Sequence, residues 1–436
     1  MSKIDQKNTT TINEPEKDLR GTIQLIRSGN AFVELDTGSE SLFVRRENTG
    51  CALPGDSVSV RRLPSVGANS ADTRLSEAQV VHVTKRARTE LTGVLRKARH
   101  GVAFEATDPR ISITIHLRDV AGAKADDRVV LRLDKHTTNK PQGTLQGCVV
   151  RTLGKQGDAS TDHALVANEY RLPGRFPKPV RTEARDLGFE LQDAVGRLDL
   201  RDRLVFTIDP EGSRDFDDAL SVRRLHDGLW EVCVHIADVS HLVTPGSALD
   251  NEAFSRACST YLPGQVTPML PEELSNELCS LNPDQDRLAF TCILTLTDAG
   301  QVRDTRFVET RIRSRKRFTY EEAYRILEGN TPQAANTNVA KAVRQLGRLA
   351  DMLRKRRFRD GALEIVTSEI TPVLDPSGRL TDIRVTSSDA AHALVEEFML
   401  AANEAACKTL QKAGFDQLFR SHPTPDPDRV AEAVRA

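Results

Sequence analysis

The sequence contains little of what marks membrane, secreted or zinc-binding proteins. Its 436 residues include no apolar run close to the roughly 18 residues that a membrane-spanning helix needs. The seven cysteines are scattered and form no Cys-x-x-Cys pair, so the sequence predicts neither a disulfide framework nor a zinc site. We therefore expect reduced thiols in a cytoplasmic protein that makes no contact with a membrane.

Charge of one sign is not in excess, and the N-terminus has no apolar leader. The formal net charge of -1 does not indicate a partner, because acidic and basic clusters offset one another. Residues 1–17 are polar and lack the apolar stretch of a signal peptide, so we expect a disordered tail there. A chain of 436 residues with 39% hydrophobic content is expected to form about two to four domains.

Four aspartates within ten positions near the middle of the chain are the most informative feature. They are Asp209, Asp215, Asp217 and Asp218, and apolar, strand-like sequence lies on both sides of them. Carboxylates packed this closely raise one another's pKa unless a cation shares them. An all-oxygen donor set suits Mg²⁺ or Mn²⁺ rather than zinc, and carboxylate-held ions of this kind hydrolyse phosphodiesters. The segment therefore predicts a metal-dependent phosphodiesterase centre.

The acidic segment also has two other interpretations. Acidic runs are most often solvated loops, although the apolar sequence on both sides is unusual for one. A calcium-binding loop needs glycine at its sixth position and glutamate at its twelfth. Counted from Asp209, these positions hold Arg214 and Leu220, so the calcium interpretation fails.

Basic residues are concentrated in two runs, at residues 311–317 and 354–359. Such runs are typical of solvated helix faces. Beside a phosphodiesterase centre they are equally typical of phosphate contacts, because neutralising the backbone dominates affinity for nucleic acids.

The N-terminal part contains a weak internal repeat. Gly21 and Gly29 recur as Gly93 and Gly101, each 72 residues further along, within similar short alternating strands. This pattern is typical of small five-stranded OB-type barrels. The few aromatic residues in the two units are interpreted as barrel core, with a base-stacking platform as the alternative; they are Phe32, Phe43 and Phe104.

Further short motifs follow the acidic segment along the chain. With it, they occupy residues 198–220, 235–241, 261–263, 268–283, 394–403 and 420–423. In order and content these blocks resemble the RNase II/RNase R exoribonucleases, the RNB family. The resemblance covers more than two hundred residues, and the two N-terminal repeats resemble the paired cold-shock domains of that family.

The resemblance implies a multidomain fold of two OB-fold (cold-shock-like) β-barrels followed by an α/β (α+β) RNB catalytic domain. We expect the barrels at residues 18–86 and 87–155, a connecting segment at 156–181 and the catalytic domain at 182–436. The implied activity is that of a monomeric hydrolytic 3′-to-5′ exoribonuclease, which degrades single-stranded RNA to nucleoside 5′-monophosphates with Mg²⁺ or Mn²⁺.

The resemblance also assigns roles to individual residues. The four aspartates match the positions that hold Mg²⁺ and help to position the attacking water. Tyr261 matches an aromatic residue that stacks near the RNA 3′ end, with a hydrogen-bonded loop tyrosine as the alternative. Tyr320 and Glu397 match contacts to bases and ribose, with a helix-capping role and an arginine partner as the alternatives. Arg315 and Arg317 are predicted RNA-binding residues from the basic run.

The motif at residues 235–241 is interpreted as structural. His235, Asp238 and His241 are expected to lie behind the site as polar supporting groups, with a metal-binding role as the alternative.

The chain departs from the family pattern at its C-terminus. It ends at Ala436, whereas the family's catalytic domain continues through an arginine-rich block, and most members then add an S1 domain. The arginines of that block would face the scissile phosphate, where a positive charge stabilises the charge that develops in the transition state. We therefore expect a C-terminally truncated chain, and a catalytically impaired RNA-binding protein or an unstable fragment is the alternative.

Overall fold

A computed structural model describes most of the chain. The described residues are 18–38, 40–63, 76–134, 145–188, 196–330, 337–363, 368–419, 421 and 424–435. The predicted tail at residues 1–17 and most of the motif at 420–423 lie outside them. The chain divides into two compact units, the first reaching Pro173 and including Leu374–Leu380, and the second comprising the remainder.

The first unit begins with a closed five-stranded barrel. Its strands are β1 (Leu19–Leu25), β2 (Ala31–Leu35), β3 (Ser41–Val44), β4 (Ser57–Arg62) and β5 (Glu77–Lys85). They pair in the order β1-β2-β3-β5-β4, and β1 pairs with β4 to close the barrel. Alternate residues of β1, such as Ile23 and Leu25, point into the core, as the two-residue period of a strand requires.

A second five-stranded sheet follows in the same unit. Its strands are β6 (Glu90–Ala98), β7 (Gly101–Ala106), β8 (Ile115–Asp119), β9 (Asp127–Leu133) and β10 (Leu145–Lys155). Their order is β7-β6-β9-β10-β8. The two sheets confirm the prediction of two OB-type domains.

The internal repeat has a physical cause in the first strand of each sheet. At Gly21 in β1 a side chain would collide with the backbone carbonyl of Glu34 on β2. At Gly93 in β6 it would collide with the carbonyl of Glu105 on β7. Each glycine therefore permits the same close approach of neighbouring strands.

The interpretation of the aromatic residues needs correction. Phe32 on β2 and Phe43 on β3 lie on the outer side of the first barrel, because their strand neighbours Val33 and Leu42 are the buried ones. The two rings contact each other with centroids 5.5 Å apart. Phe104 does pack against the core, as predicted.

One helix lies within the region predicted as a connecting segment, and a second begins there and continues past residue 181. They are α1 (Ala159–Glu169) in the first unit and α2 (Lys178–Asp186) in the second. Proline at position 179 suits the first turn of α2, where its missing N–H has no helical partner.

The second unit is built on a six-stranded sheet. Its strands are β11 (Leu198–Asp199), β12 (Val205–Asp209), β13 (Asp218–Arg224), β14 (Trp230–Ala237), β17 (Asp286–Leu296) and β18 (Val302–Thr319). A small hairpin in the same unit pairs β15 (Thr260–Leu262) with β16 (Gln265–Thr267). A second hairpin pairs β19 (Ser368–Leu374) with β20 (Leu380–Ser387), and its residues 374–380 are those counted with the first unit. The main order is β11-β18-β12-β13-β14-β17, and β17 also pairs with β18, so that five strands close into a ring.

Further helices belong to the second unit. They are α3 (Val239–Leu242), α4 (Ala248–Arg256), α5 (Tyr320–Leu327), α6 (Thr337–Arg359), α7 (Ala390–Lys412) and α8 (Pro427–Arg435), with a π-helical turn at Glu273–Leu278. One apolar core joins the strands to α5, α6 and α7 through Phe206, Phe318 and Phe398. A second core, with Phe216, Leu274 and Leu281, lies beneath the acidic segment. The predicted α/β texture is confirmed.

The first barrel depends on one buried carboxylate, which gives a stability prediction. Asp56 is fully buried, accepts hydrogen bonds from the N–H groups of Leu53 and Ala87 at 2.8 Å, and pairs with Arg86 at 2.5 Å. Asp56→Ala leaves Arg86 without this partner, so we expect a loss of roughly 3–5 kcal/mol in denaturant unfolding of the first unit. Asp18→Ala breaks only the exposed pair with Arg61, and its unfolding midpoint should stay close to that of the unmodified protein. Equal effects of the two substitutions would contradict this account.

Candidate active site

The acidic residues lie where two paired strands of the ring are linked. Asp209 is the last residue of β12, and Asp218 is the first residue of β13. Asp215 and Asp217 lie between them, in the link at residues 210–217. β12 and β13 are antiparallel neighbours, so the fold returns all four carboxylates to one end of the ring.

The link is tied to neighbouring segments by backbone hydrogen bonds. The N–H of Ala237 donates to the carbonyl of Asp217 at 2.8 Å, and the N–H of Leu281 donates to that of Phe216 at 2.9 Å. The Phe216 ring is buried in the apolar core beneath. The positions of Asp215 and Asp217 thus depend on residues distant in the sequence.

The electrostatics of the site follow from crowding of like charges away from water. Burial raises the pKa of Asp209 to about 6 and that of Asp218 to about 7, and nearby carboxylates add to both shifts. Asp217 is more exposed, yet protein atoms crowded round its carboxyl, together with Asp215, raise its pKa as well. A group of carboxylates in this state gains from a shared cation.

Asp215 differs from its neighbours because hydrogen bonds stabilise its charge. Burial acts to raise its pKa, but donation from the hydroxyls of Tyr261 at 2.7 Å and Ser213 at 2.9 Å outweighs burial and lowers it. The same hydrogen bond raises the pKa of Tyr261 to about 12. The Tyr261 side chain on β15 is otherwise open to solvent, with 63% of the residue exposed.

The two predicted RNA-binding arginines on β18 have different surroundings. Arg317 donates to the carbonyls of Pro210 and Glu211 in the link, and its charge counteracts the rise in the pKa of Asp209. Arg315 instead donates to the carbonyl of Arg201 at 2.7 Å. The structure thus brings Arg317, and not Arg315, to the acidic link.

Tyr320 lies beside the acidic residues, at the start of α5. Burial raises its pKa to about 12, and the charges of Asp218 and Asp209 contribute. Its ring is stacked on that of His392 with centroids 3.9 Å apart and an interplanar angle of 8°. The helix cap is Thr319, which forms a capping box with Glu322, so the capping alternative for Tyr320 is wrong.

Glu397 has the arginine partner that the alternative interpretation anticipated. It is 4% exposed on α7, and its carboxylate accepts from Arg357 of α6 at 2.5 Å. Contact with a ribose therefore requires the substrate to share or replace this ion pair.

The acidic site offers oxygen donors to a divalent cation. The Oδ2 atom of Asp209 is buried and has no hydrogen-bond partner among the described residues. The donors are oxygens, as Mg²⁺ and Mn²⁺ prefer. Within the same described ranges, no group of three or more His, Cys, Asp or Glu side chains is arranged as a site that could hold a metal ion. The residues fit a hard cation in their chemistry, and their carboxylates must converge to bind one.

Several residues near the link were not singled out from the sequence. Ser213 and Ser280 both form hydrogen bonds within it, and His392 stacks on Tyr320. Ser280 and His392 lie within or beside motifs of the family resemblance, but a serine or histidine alone gives no signal of its partner.

The motif at residues 235–241 supports the sheet. His235 is fully buried between the hydroxyls of Ser221 at 3.0 Å and Thr291 at 2.9 Å. Asp238 forms an ion pair with Arg197 at 2.5 Å, and the same guanidinium lies 3.5 Å from the ring of His241. These contacts agree with the structural interpretation.

Comparison with known families places the chain. A model of the RNB domain matches residues 197–436, a cold shock domain matches residues 104–177, and the Ribonuclease B OB domain matches residues 21–83. The RNB match covers more than half of the 436 residues. The chain belongs to the RNB family.

Individual relatives agree with this assignment. Ribonuclease R from Thermotoga maritima is 34% identical, over 95% of this chain and 58% of its own length. The structure of Mycoplasma genitalium RNase R in complex with ribose-methylated single-stranded RNA is 26% identical and has a TM-score of 0.87. That match covers 96% of this chain and 65% of the other.

Yeast Ssd1, a pseudonuclease, shares the fold alone, at 17% identity and a TM-score of 0.65, with 95% of this chain and 57% of that one covered. The chain thus spans between 57% and 65% of the length of these three proteins. Among the residues described, no helix has the length and apolar character needed to cross a membrane.

Burial of His235 gives a pH prediction. Burial, with a smaller contribution from Arg203, lowers its pKa to about 3, so the folded protein keeps the ring neutral, whereas the unfolded chain takes up a proton below about pH 6.5. The neutral buried ring therefore contributes fully to the free energy of unfolding above pH 6.5. This contribution is lost as the pH falls towards 3, and the loss is about 2 kcal/mol at pH 5. His235→Asn should remove this part of the loss between pH 7 and pH 5 in denaturant unfolding.

The exposed His226 provides the control, and His226→Asn should retain the full pH dependence. An unchanged pH dependence in His235→Asn would show that the buried ring is not its source.

Proposed function

We propose that the chain is a hydrolytic 3′-to-5′ exoribonuclease that degrades single-stranded RNA to nucleoside 5′-monophosphates with Mg²⁺, or with Mn²⁺ in its place. The observation that carries the proposal is the cluster of four aspartates at the β12–β13 link. Burial and mutual repulsion raise the pKa of three of these four carboxylates. Membership of the RNB family supports the same reaction.

The four aspartates would hold the ion. When bound, a divalent ion supplies Lewis acidity that activates water and stabilises charge on the phosphate oxygens. The protein contributes pre-positioned groups: Tyr261 keeps one oxygen of Asp215 fixed, and Arg317 places positive charge beside Asp209. These contacts orient the carboxylates before the substrate arrives. Such preorganisation accelerates the reaction, because the groups need not rearrange in the transition state.

The aromatic residues suit a single-stranded 3′ end. Tyr261 is exposed while its hydroxyl contacts Asp215, so a base stacked on its ring would lie next to the acidic link. Tyr320 lies near Asp209 and Asp218, and we assign it and Glu397 to contacts with the terminal nucleotides. Arg315 and Arg317 are proposed phosphate contacts, Arg317 beside the link and Arg315 further along β18.

The N-terminal modules, which we place at residues 18–86 and 87–155, are proposed to guide RNA to the catalytic domain at 182–436. The outward-facing pair Phe32 and Phe43 offers an aromatic surface of the kind that stacks unpaired bases. RNase R of Mycoplasma genitalium has been seen with single-stranded RNA, in keeping with this partner. We propose a cytoplasmic protein, because the scattered cysteines without a Cys-x-x-Cys pair suit a reducing compartment, and a monomer, as the family resemblance implies.

One observation favours a second function. Because no three ligand side chains are arranged as a metal site in the described ranges, the chain is alternatively an RNA-binding protein with impaired catalysis. Both functions predict RNA affinity, and only the first predicts release of mononucleotides.

The two functions are separated by degradation of 5′-labelled single-stranded RNA by the full chain. We expect progressive shortening from the 3′ end with Mg²⁺, no shortening with a chelator, and at least a roughly hundredfold lower rate in Asp217→Asn, because one carboxylate charge is lost while shape is kept. Asp227→Asn, in a surface turn outside the link, is the matched control and should retain the rate.

RNA binding without shortening in the unmodified protein would refute the exonuclease proposal and leave the RNA-binding function. Equal rates in the Asp217 variant would instead locate the activity elsewhere.

A further inference from the structure

One buried hydroxyl holds the backbone on both sides of Asp215. The Oγ of Ser280 accepts a hydrogen bond from the N–H of Phe216 at 3.0 Å and donates to the carbonyl of Arg214 at 2.8 Å. Ser280 is fully buried, so neither bond competes with water. The two residues that flank Asp215 are therefore fixed by the same side chain.

The segment that carries Ser280 is itself held rigidly. The buried guanidinium of Arg287 donates to the carbonyl of Ser280 at 2.7 Å and to that of Glu277 at 2.8 Å. The next residue, Leu281, packs in the same core as Phe216 and donates its N–H to the Phe216 carbonyl at 2.9 Å. Contacts from strand β17, where Arg287 lies, are thus transmitted to the acidic link.

This support matters because Asp215 lies outside any strand. Asp209 in β12 pairs with Thr319 of β18, and Asp218 in β13 pairs with Ile236 of β14, so strand ladders fix the backbone of both residues. Asp215 has no such ladder. The hydroxyls of Tyr261 and Ser213 donate hydrogen bonds to its carboxylate, and they can orient that carboxylate only if the backbone of Asp215 stays in place. Groups that act together in a site need placement to within about 0.5 Å.

We propose that Ser280 is a positioning residue that sets Asp215 in the acidic centre, an inference that rests on the proposed exonuclease function. Ser280 touches no substrate in this account. It acts through the Arg214 and Phe216 peptide groups, and the hydrogen bond from Arg287 fixes the backbone of Ser280 itself.

Ser280→Ala removes the donor and the acceptor together and leaves two peptide groups without these partners. We expect kcat to fall about 10- to 100-fold, as small misplacements at a reacting centre do, while the KM for RNA changes less than about threefold. We also expect faster amide hydrogen exchange at residues 210–217 and a several-fold weaker affinity for Mn²⁺ alone, measured by calorimetry.

The matched control is Ser221→Ala, which deletes another buried hydroxyl in the same unit, bonded to His235 rather than to the link. It should lower stability by a similar amount and leave exchange at 210–217, the affinity for Mn²⁺ and kcat unchanged. If Ser280→Ala does not fold, Ser280→Cys keeps the size and a weaker donor, and intermediate effects are expected.

Unchanged exchange at 210–217 in the Ser280 variant, or equal changes in both serine variants, would overturn the positioning role. Failure of the unmodified protein to bind Mn²⁺ or shorten RNA would refute the proposed function instead. The exchange comparison would still decide whether Ser280 holds the link.

Discussion

The second unit depends on the pairing of β12 with β13, which brings carboxylates together where water is partly excluded. Like charges in such a place repel each other, and the chain keeps them there because strands, an apolar anchor and backbone hydrogen bonds outweigh the repulsion. Phe206, the second residue of β12, opposes Leu220 on β13, and both lie in the main core. The packing that stabilises the fold is thus also what crowds Asp209 and Asp218.

The response of the carboxylates to this crowding is uneven. Asp209 and Asp218 have raised pKa values, whereas hydroxyl donors lower the pKa of Asp215. Asp215 therefore keeps its negative charge, whereas Asp209 and Asp218 more readily accept a proton or a cation. Tyr261 joins the two functions of the site, because it stabilises the charge on Asp215 and exposes a ring to solvent.

Local signals in the sequence predicted much of this fold. Helix α5 begins at a Thr319–Glu322 capping box, a signal that lies within four consecutive residues of the sequence. The apolar, strand-like sequence on either side of the acidic run forms β12 and β13, as predicted. The four aspartates and Tyr261 could be placed together because the segment is short and the family resemblance supplied the order.

Pairings between distant residues gave no such signal. Glu397 and Arg357 are 40 positions apart, and Ser280 lies 64 positions after Phe216. Nothing in either local sequence states the partner. Closure of the ring by β17 and β18, and the outward direction of Phe32 and Phe43, likewise depend on which face the tertiary fold buries.

The central claim is that the β12–β13 link brings its aspartates to a shared divalent ion. The most direct measurement is the anomalous difference density of crystals of the full chain grown with Mn²⁺. The account predicts a peak bounded by Asp209, Asp215, Asp217 and Asp218, with oxygen ligands at about 2.1 Å. An ordered link with no peak between these carboxylates, or a peak bound elsewhere, would contradict it.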